Sequence, residues 1–287
     1  EELEKIPNDI ENNSSEEETT KNLCVHELRK RLKNKQRKEN TIKVMIFFFM
    51  IVLIGAVLVR SCGCIINDIS DHKLDKLVKR TANRPIANGA ISLKEAWLFF
   101  IFLGLCSLYL LTFTPYLTMK VALAFAVMIM IYPLTKRFFM APQFILGITF
   151  GSGTLISYSL ESNIFSPSIF ILYMGVISWI ISFDTFYALE DIEDDKKIGI
   201  NSTPILWGKD AVKNAKALHY IFYISLAIIA YINDFSLFFV LIMSILLILN
   251  RSQIKLIEEK KYLETFKFNN WIGIVVTSGF AIEVFLI

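Results

Sequence analysis

Four carboxylate and amide side chains are concentrated within the nine-residue stretch NDISDHKLD. Asn67, Asp71 and Asp75 are spaced four residues apart, and Asp68 precedes Asp71 by three. Residues three and four apart lie on the same face of an α-helix, so a helix through this stretch would present all four to one side. Carboxylates that converge in this way repel one another unless a cation lies between them. The stretch therefore predicts a cation-binding face.

A second acidic stretch, SFDTFYALEDIEDD, has the same kind of spacing. Asp184, Asp191 and Asp195 stand at positions i, i+7 and i+11, with Asp194 beside them and Tyr187 close to Asp184 in sequence. These positions again share one helical face. Two acidic faces that open on the same side of the molecule could enclose one site.

The types of ligand atom indicate which cation would bind. Both stretches offer carboxylate or amide oxygens, and oxygen-only sites favour a hard ion such as Mg²⁺. The four cysteines and three histidines form neither a zinc pattern nor a disulfide framework. Acids for Mg²⁺ and nearby bases for oxygen anions together predict a diphosphate site. The bases are Lys73, Lys79, Arg80, Arg84, Lys136, Arg137, Lys196 and Lys197.

Membrane helices are the elements that must position these side chains. The chain has 287 residues, of which 54% are hydrophobic, including 24 phenylalanines. The chain contains apolar runs that are long enough to cross a bilayer. Inside the bilayer these runs must be helical, because only a helix satisfies its own backbone groups. The predicted fold is an all-α, polytopic membrane bundle of about eight transmembrane helices. The predicted spans are 44–66, 95–117, 119–135, 142–160, 167–189, 214–232, 235–250 and 270–287.

Loop charge predicts the orientation of this bundle. The loops that follow the first, third, fifth and seventh spans contain 17 Lys and Arg residues, whereas the alternate loops contribute only Lys120. The positive-inside rule places the first set on the cytoplasmic or matrix-like side. Both acidic stretches end spans of the same parity, so we expect them to meet on that side. Arg60, inside the first span, either snorkels to the interface or binds a carboxylate or phosphate.

The first 43 residues differ in composition from the rest. Residues 1–43 are rich in Glu, Asn and Lys without apolar periodicity, which predicts a disordered charged tail ahead of a transmembrane domain at 44–287. Nine Lys and Arg residues at 21–43 would lie on the side that the rule disfavours. The expectation that follows is that a first transmembrane helix is missing from this chain.

Long motifs in both acidic stretches resemble those of the UbiA-type intramembrane prenyltransferases. NDISDHKLDKLVKRTANRPIANGAIS is similar to the first Asp-rich motif of that family, and DTFYALEDIEDDKKIGINST is similar to the second, in the form found in 4-hydroxybenzoate polyprenyltransferases. The stretches YPLTKRFFMAPQFILGITFG and FNNWIG also match that subgroup. Family members usually have nine helices, and this chain lacks the usual first helix. Glu190 replaces the usual Gln, and Asn201 a common Lys.

The resemblance implies a role for each matching residue. Asn67, Asp71, Asp75, Asp191 and Asp195 would hold Mg²⁺ on the diphosphate of an isoprenoid donor. Asp71, Asp191, Asp195 and Tyr187 would be catalytic. Asp68, Asp184 and Asp194 would support the metal site. Phosphate charge would be neutralised by Lys73, Arg80, Arg84, Lys136 and Arg137.

The resemblance also implies a reaction. The expected activity is Mg²⁺-dependent transfer of a polyprenyl chain from polyprenyl diphosphate to the ring carbon ortho to the hydroxyl of 4-hydroxybenzoate, in ubiquinone biosynthesis. The partners would be polyprenyl diphosphate, an aromatic acid and the lipid bilayer, without nucleic acid. The expected location is the mitochondrial inner membrane, with a bacterial plasma membrane as the alternative.

Three alternatives stay open from the sequence. Another acceptor, such as haem, homogentisate or a naphthoate, would keep the family and change the product. A transporter with an acidic ion site would also place acids and bases in a membrane, although these acids stand at the ends of spans. A non-catalytic form is the third alternative, because of the missing helix.

Overall fold

The computed structural model describes residues 6–78 and 80–285, with side chains described at 30–78 and 80–284. By internal contacts the chain divides into two units, residues 1–54 and residues 55–287. All regular secondary structure in the described ranges is helical, which confirms the all-α class. The helices are α1 (Ile6–Asp75), α2 (Leu93–Leu111), α3 (Tyr116–Thr135), α4 (Pro142–Ser159), α5 (Pro167–Glu190), α6 (Ile192–Ile198), α7 (Thr203–Trp207), α8 (Ala211–Ile232), α9 (Leu237–Glu258) and α10 (Tyr262–Phe285), with a 3₁₀ turn at Gly208–Asp210.

The described residues of the first unit, 6–54, all belong to the N-terminal part of α1. Its described side chains are exposed throughout residues 30–44, a segment rich in Lys and Arg. Large apolar side chains that follow, including Ile46, Phe47 and Phe49, are also exposed, as the lipid-facing surface of a membrane helix would be. The helix includes most of the predicted tail, while disorder of residues 1–43 stays a prediction.

In the second unit, α5 has three long helices as direct neighbours. It packs against α4, α8 and α10, while α3 packs on α4 and α9 packs on α10. Small residues allow close approach: a Cβ on Gly175 would lie 1.8 Å from the Ser225 hydroxyl oxygen of α8, and a Cβ on Gly147 would lie 3.2 Å from the Ile177 carbonyl oxygen. Small residues at helix contacts are typical of membrane bundles, where van der Waals packing drives association.

Six described helical segments are long and apolar enough to cross a membrane. They are Lys30–Asp75, Leu93–Leu111, Tyr116–Thr135, Pro167–Glu190, Thr203–Ile232 and Leu237–Glu258. The other two predicted spans, 142–160 and 270–287, correspond to helices α4 and α10. These two helices are more polar than the other six segments. Helix α4 contains Gln143 and Thr149, which are both buried. Helix α10 begins eight residues before the predicted span, and its first turns contain Glu264 and Lys267.

The helix ends on one side of the second unit come together. α1 ends at Asp75, α3 at Thr135 and α5 at Glu190, and α4 begins nearby at Pro142. After α5 the chain reverses direction through the short helices α6 and α7. Gly199 lies between them with φ of +76°, a left-handed conformation that glycine adopts without strain. This arrangement positions both acidic stretches at the same end of the bundle.

Candidate active site

A cavity of about 130 Å³ lies where α1, α3 and α5 end. Its acidic wall contains Asp71 and Asp75 from α1 and Asp184 from α5, together with Asp191 from the turn into α6 and Asp195 from α6 itself. The same cavity is lined by Asn67, Arg80, Arg84, Lys136 and Tyr187. The structure therefore brings together ten of the residues that the sequence analysis singled out.

Each acidic stretch is held by cations from a different part of the chain. Arg80 donates two hydrogen bonds to Asp191, one of them from Nε to Oδ1 at 3.0 Å. Lys136 Nζ lies 3.2 Å from both Asn67 Oδ1 and Asp71 Oδ2. These pairs neutralise Asp71 and Asp191, and bidentate contacts such as that of Arg80 fix geometry as well as charge.

Arg84 connects the two remaining carboxylates of the first stretch. Its Nη1 donates to Asp68 Oδ1 at 2.9 Å and to Asp75 Oδ2 at 3.1 Å. Asp68 does not line the cavity, whereas Asp75 does. Asp68 thus binds Arg84 from outside the cavity, while Arg84 itself lines the cavity.

Aromatic rings support two of the cations. The Arg80 guanidinium lies 4.6 Å from the centroid of the Tyr187 ring, and the centroid of the Phe266 ring lies 4.9 Å from that of Tyr187. Lys136 Nζ is 5.9 Å from the Tyr132 ring centroid. A cation over an aromatic face is stabilised by the ring quadrupole, so Tyr187 positions Arg80 in addition to lining the cavity.

Burial and charge repulsion act together on Asp195. Desolvation, with a further contribution from the neighbouring Asp191 carboxylate, raises the pKa of Asp195 to about 6. The side chain of Asp195 is therefore more easily protonated than an exposed aspartate. A bound divalent cation would reverse this effect by favouring the carboxylate.

Several predicted residues lie away from the cavity. Asp194 pairs with Lys197 at 3.2 Å, on an exposed side of α6, and Lys73 is exposed on α1. Arg137 donates to the Ser70 carbonyl oxygen at 2.6 Å and lies 3.9 Å from Asp71 Oδ1, so it contacts the acidic face from outside. Lys196 is exposed, and Lys79 lies outside the described residues.

The structure adds polar residues that the sequence reasoning missed. Gln143, Asn201, Ser202, Thr81 and Tyr132 also line the cavity. Gln143 follows Pro142 at the start of an apolar span, and Asn201 and Ser202 follow the second motif at its end. In the sequence, site residues are identified from the spacing of charged side chains. Uncharged residues do not contribute to that spacing, so these positions could not be distinguished from ordinary loop or core positions.

The donor set of the cavity fits a hard cation, although the described residues are not arranged as a metal cage. No group of three His, Cys, Asp or Glu side chains in the described parts of the chain is close enough to hold an ion. The lining nevertheless offers carboxylate oxygens and the Asn67 amide oxygen, the ligand type that Mg²⁺ prefers. Asp191, Asp75 and Asp71 each pair with a cation, namely Arg80, Arg84 and Lys136.

Arg60 lies within α1, on the membrane side of the acidic face. Its guanidinium carbon is 5.1 Å from the centroid of the Phe150 ring of α4, and Phe150 contacts the ring of Tyr132 edge-on at 6.5 Å. Among the described ion pairs Arg60 has no acidic partner. A cation in this setting, close to aromatic faces, suits an aromatic anion.

Comparison with known proteins gives the same picture of the fold. The UbiA prenyltransferase family model matches residues 40–272. The 4-hydroxybenzoate octaprenyltransferase of Saccharophagus degradans is 36% identical over 245 residues, which cover 82% of this chain and 79% of the relative.

Two solved structures share the architecture. A UbiA homolog from Aeropyrum pernix K1, solved without ligand, aligns with a TM-score of 0.73 at 23% identity, covering 82% of this chain and 89% of its own. A UbiA homolog from Archaeoglobus fulgidus bound to GPP and Mg²⁺ aligns with a TM-score of 0.59 at 20% identity, covering 83% and 88% of the two chains.

Proposed function

The chain belongs to the UbiA prenyltransferase family and is an integral membrane prenyltransferase; on this premise we propose that it transfers a polyprenyl chain from polyprenyl diphosphate to the ring carbon ortho to the hydroxyl of 4-hydroxybenzoate, in ubiquinone biosynthesis. Family membership decides in favour of an enzyme over a transporter. The observation that carries the proposal is the convergence of both acidic stretches and their bases on one cavity.

Mg²⁺ is the cation that we propose for this cavity. The A. fulgidus homolog, which shares the fold, is bound to Mg²⁺ and GPP, and the oxygen donors here fit the same ion. The residues that would hold it are Asn67, Asp71, Asp75, Asp191 and Asp195, with Asp184 nearby. When bound, Mg²⁺ supplies positive charge that stabilises the diphosphate leaving group.

The basic residues of the cavity would bind the phosphate oxygens. Arg80, Arg84 and Lys136 pair with the carboxylates of Asp191, Asp75 and Asp71, so these pairs would exchange partners with Mg²⁺ and the diphosphate. In this exchange the carboxylates would hold the metal, and the cations would bind the diphosphate oxygens. Because both charge types are already present in the cavity, this exchange leaves neither an acid nor a base unpaired.

Bond breaking requires charge stabilisation and exclusion of water. The allylic C–O bond of the donor breaks with its electron pair leaving on the diphosphate, where the Arg and Lys side chains spread the charge. The acceptor ring carbon then bonds to the allylic carbon and loses its proton, which restores the aromatic ring. Leu74, Val78, Ala188 and Ile200 form apolar parts of the cavity lining, and they limit access of water to the cationic carbon.

The choice of acceptor rests on two supports. The S. degradans relative is named a 4-hydroxybenzoate octaprenyltransferase, and Arg60 with Phe150 provides a cation and an aromatic face on the membrane side of the acids. We propose that Arg60 binds the acceptor carboxylate while the ring packs near Phe150 and Tyr132. This assignment requires an anionic aromatic acceptor.

We further propose the mitochondrial inner membrane as the location. The support is the long Lys- and Asn-rich N-terminal segment, which is atypical of compact bacterial members, while the curated relative is bacterial. Fractionation of the source cells with an antibody to this chain tests the proposal. Recovery with a bacterial plasma membrane would contradict it.

Prenyl transfer in membranes that contain the expressed chain tests the reaction. Labelled polyprenyl diphosphate is supplied with 4-hydroxybenzoate, with and without Mg²⁺, and Asp71→Asn membranes give the background. Mg²⁺-dependent prenylated 4-hydroxybenzoate, absent from the control, is the expected result. Product with homogentisate or a naphthoate, but none with 4-hydroxybenzoate, would contradict the acceptor assignment. No product with any acceptor, from correctly inserted protein, would contradict the proposed activity.

A further inference from the structure

The hydroxyl oxygen of Ser202, Oγ, is buried and has no hydrogen-bond partner. Among the described residues, no other buried side-chain oxygen or nitrogen lacks one. The residue is 2% exposed, and it lines the candidate active-site cavity beside Asn201. A buried hydroxyl without a partner is unfavourable, so native structures rarely keep one unless a ligand or water completes it. Its position on a ligand cavity makes it a candidate for a substrate contact.

The backbone on both sides of Ser202 is held in place. The Asn201 amide donates to the Lys136 carbonyl oxygen at 3.0 Å, which ties this segment to the end of α3. The Thr203 amide donates to Gln143 Oε1 at 2.9 Å, and the Thr203 hydroxyl pairs with that of Thr185 at 2.7 Å. Rigid neighbours fix the Ser202 side chain at the cavity wall, as a preorganised binding group must be.

The hydroxyl is not used in helix capping. Ser202 precedes α7, the position at which serine commonly caps a helix, but its side chain makes no cap hydrogen bond. Its own carbonyl oxygen accepts from the Leu206 amide, so the backbone of the residue is satisfied while Oγ is not. A structural explanation through local hydrogen bonding is therefore lacking for this side chain.

The charge of the surrounding wall indicates what the hydroxyl would bind. The segment runs alongside Lys136, whose ammonium group lies in the cavity and would neutralise an oxygen anion. A serine hydroxyl donates one hydrogen bond and suits a phosphate oxygen. We propose that Ser202 donates a hydrogen bond to a phosphate oxygen of the prenyl diphosphate. This inference rests on the proposed function, because it places a further contact on the same substrate.

Calorimetric binding of inorganic diphosphate with Mg²⁺ to the purified full chain in detergent tests the contact without turnover. Ser202→Ala is expected to weaken this binding by about tenfold or more, since a hydrogen bond to a charged group is lost. Ser202→Thr retains a hydroxyl and should recover much of the affinity. Ser178→Ala is the matched control, because Ser178 is also buried but already donates to the Met174 carbonyl oxygen at 2.9 Å.

Thermal unfolding of the ligand-free variants separates binding from structure. Because Ser202→Ala removes a hydroxyl without a partner, its unfolding temperature should be equal to or above that of the wild type. Diphosphate affinity of Ser202→Ala equal to that of the wild type, or a lower unfolding temperature of this variant, would overturn the inference. The proposed function would still stand in that case, provided that the wild type binds diphosphate. Absence of diphosphate binding in the wild type would overturn both.

Steady-state kinetics then distinguishes the two substrates. In Ser202→Ala membranes the KM for polyprenyl diphosphate should rise about tenfold, with the KM for the aromatic acceptor within about twofold of wild type. A rise in the acceptor KM alone would overturn the assignment to the diphosphate.

Discussion

Arg80 is the side chain through which the two acidic stretches meet. It follows the first stretch in sequence, yet its guanidinium binds Asp191 of the second and lies over the Tyr187 ring. The spacing of the acids could be predicted from helical periodicity, because that information is local. The Arg80–Asp191 pair joins residues 111 positions apart, and no local pattern contains it. The sequence pattern also could not predict that the Ser202 hydroxyl lacks a partner, because its hydrogen bonding depends on the surrounding backbone.

Removal of one cavity carboxylate should separate catalysis from folding. We expect Asp191→Asn to lower prenyl transfer by about a hundredfold or more, because one charge that would hold Mg²⁺ is lost. Asp194→Asn is the matched control: its side chain pairs with Lys197 outside the cavity, and its activity should stay within about twofold of wild type. Membrane transfer assays with labelled donor measure both. Equal loss in both variants, or loss of folded Asp191→Asn protein, would contradict the assignment.

Arg60 offers a test of acceptor binding. We expect Arg60→Gln to raise the KM for 4-hydroxybenzoate by about tenfold, because a charge that would pair with the carboxylate is removed, with little change in the KM for the donor. Arg60→Lys keeps the charge and should have a smaller effect. Initial rates at varied acceptor concentration give the answer. A change confined to the donor KM would instead indicate that Arg60 binds phosphate.

At the level of the elements, small residues set the distances between helices. α5 can approach α8 because Gly175 leaves room for Ser225, and it approaches α4 through Gly147. Most helices could be predicted from apolar runs, and the expected all-α bundle is confirmed. The start of α10 and the polar character of α4 could not, because buried polar side chains in these helices find partners only in the assembled bundle. One such partner is Asn269, whose amide oxygen accepts from the Trp179 indole nitrogen at 2.8 Å.

Gly175→Ala tests this packing. The added Cβ would lie 2.6 Å from the Ser225 Cβ, so α5 and α8 must separate. We expect the free energy of unfolding to fall by about 1–3 kcal/mol, the usual effect of overpacking. Gly104→Ala is the control, because a Cβ there meets nothing within 4 Å. Thermal unfolding in detergent compares the two. A stability loss of equal size in Gly104→Ala would indicate a general effect of replacing glycine in a membrane helix.

At the scale of the whole molecule, the helices are arranged so that the C-terminal ends of α1, α3 and α5 lie together. Loop charge predicted that the two acidic stretches open on one side, and the helix ends of α1, α3 and α5 do meet at one cavity. The sequence could not show that Asp71, Asp75 and Asp191 are each paired with a base. That balance depends on the side-chain positions of three separate segments.

This balance makes a prediction about ligand binding. Inorganic diphosphate and Mg²⁺ should bind cooperatively, because either one alone takes one partner of each pair and leaves the other partner unpaired. We expect Mg²⁺ to tighten diphosphate binding by at least about tenfold. Calorimetric titration of diphosphate, with and without Mg²⁺, measures the coupling, after correction for formation of the complex in solution. Independent binding of the two ligands would contradict the exchange of partners.

The position of the acids at the ends of the helices has a consequence for the fate of the products. In the proposed reaction, diphosphate released among charged loops would enter water, whereas the ring that carries the long prenyl chain would stay in the bilayer. The two products therefore separate into different phases as soon as they leave the cavity. Their dilution into separate phases disfavours the reverse reaction, so the membrane itself would give the proposed transfer its direction.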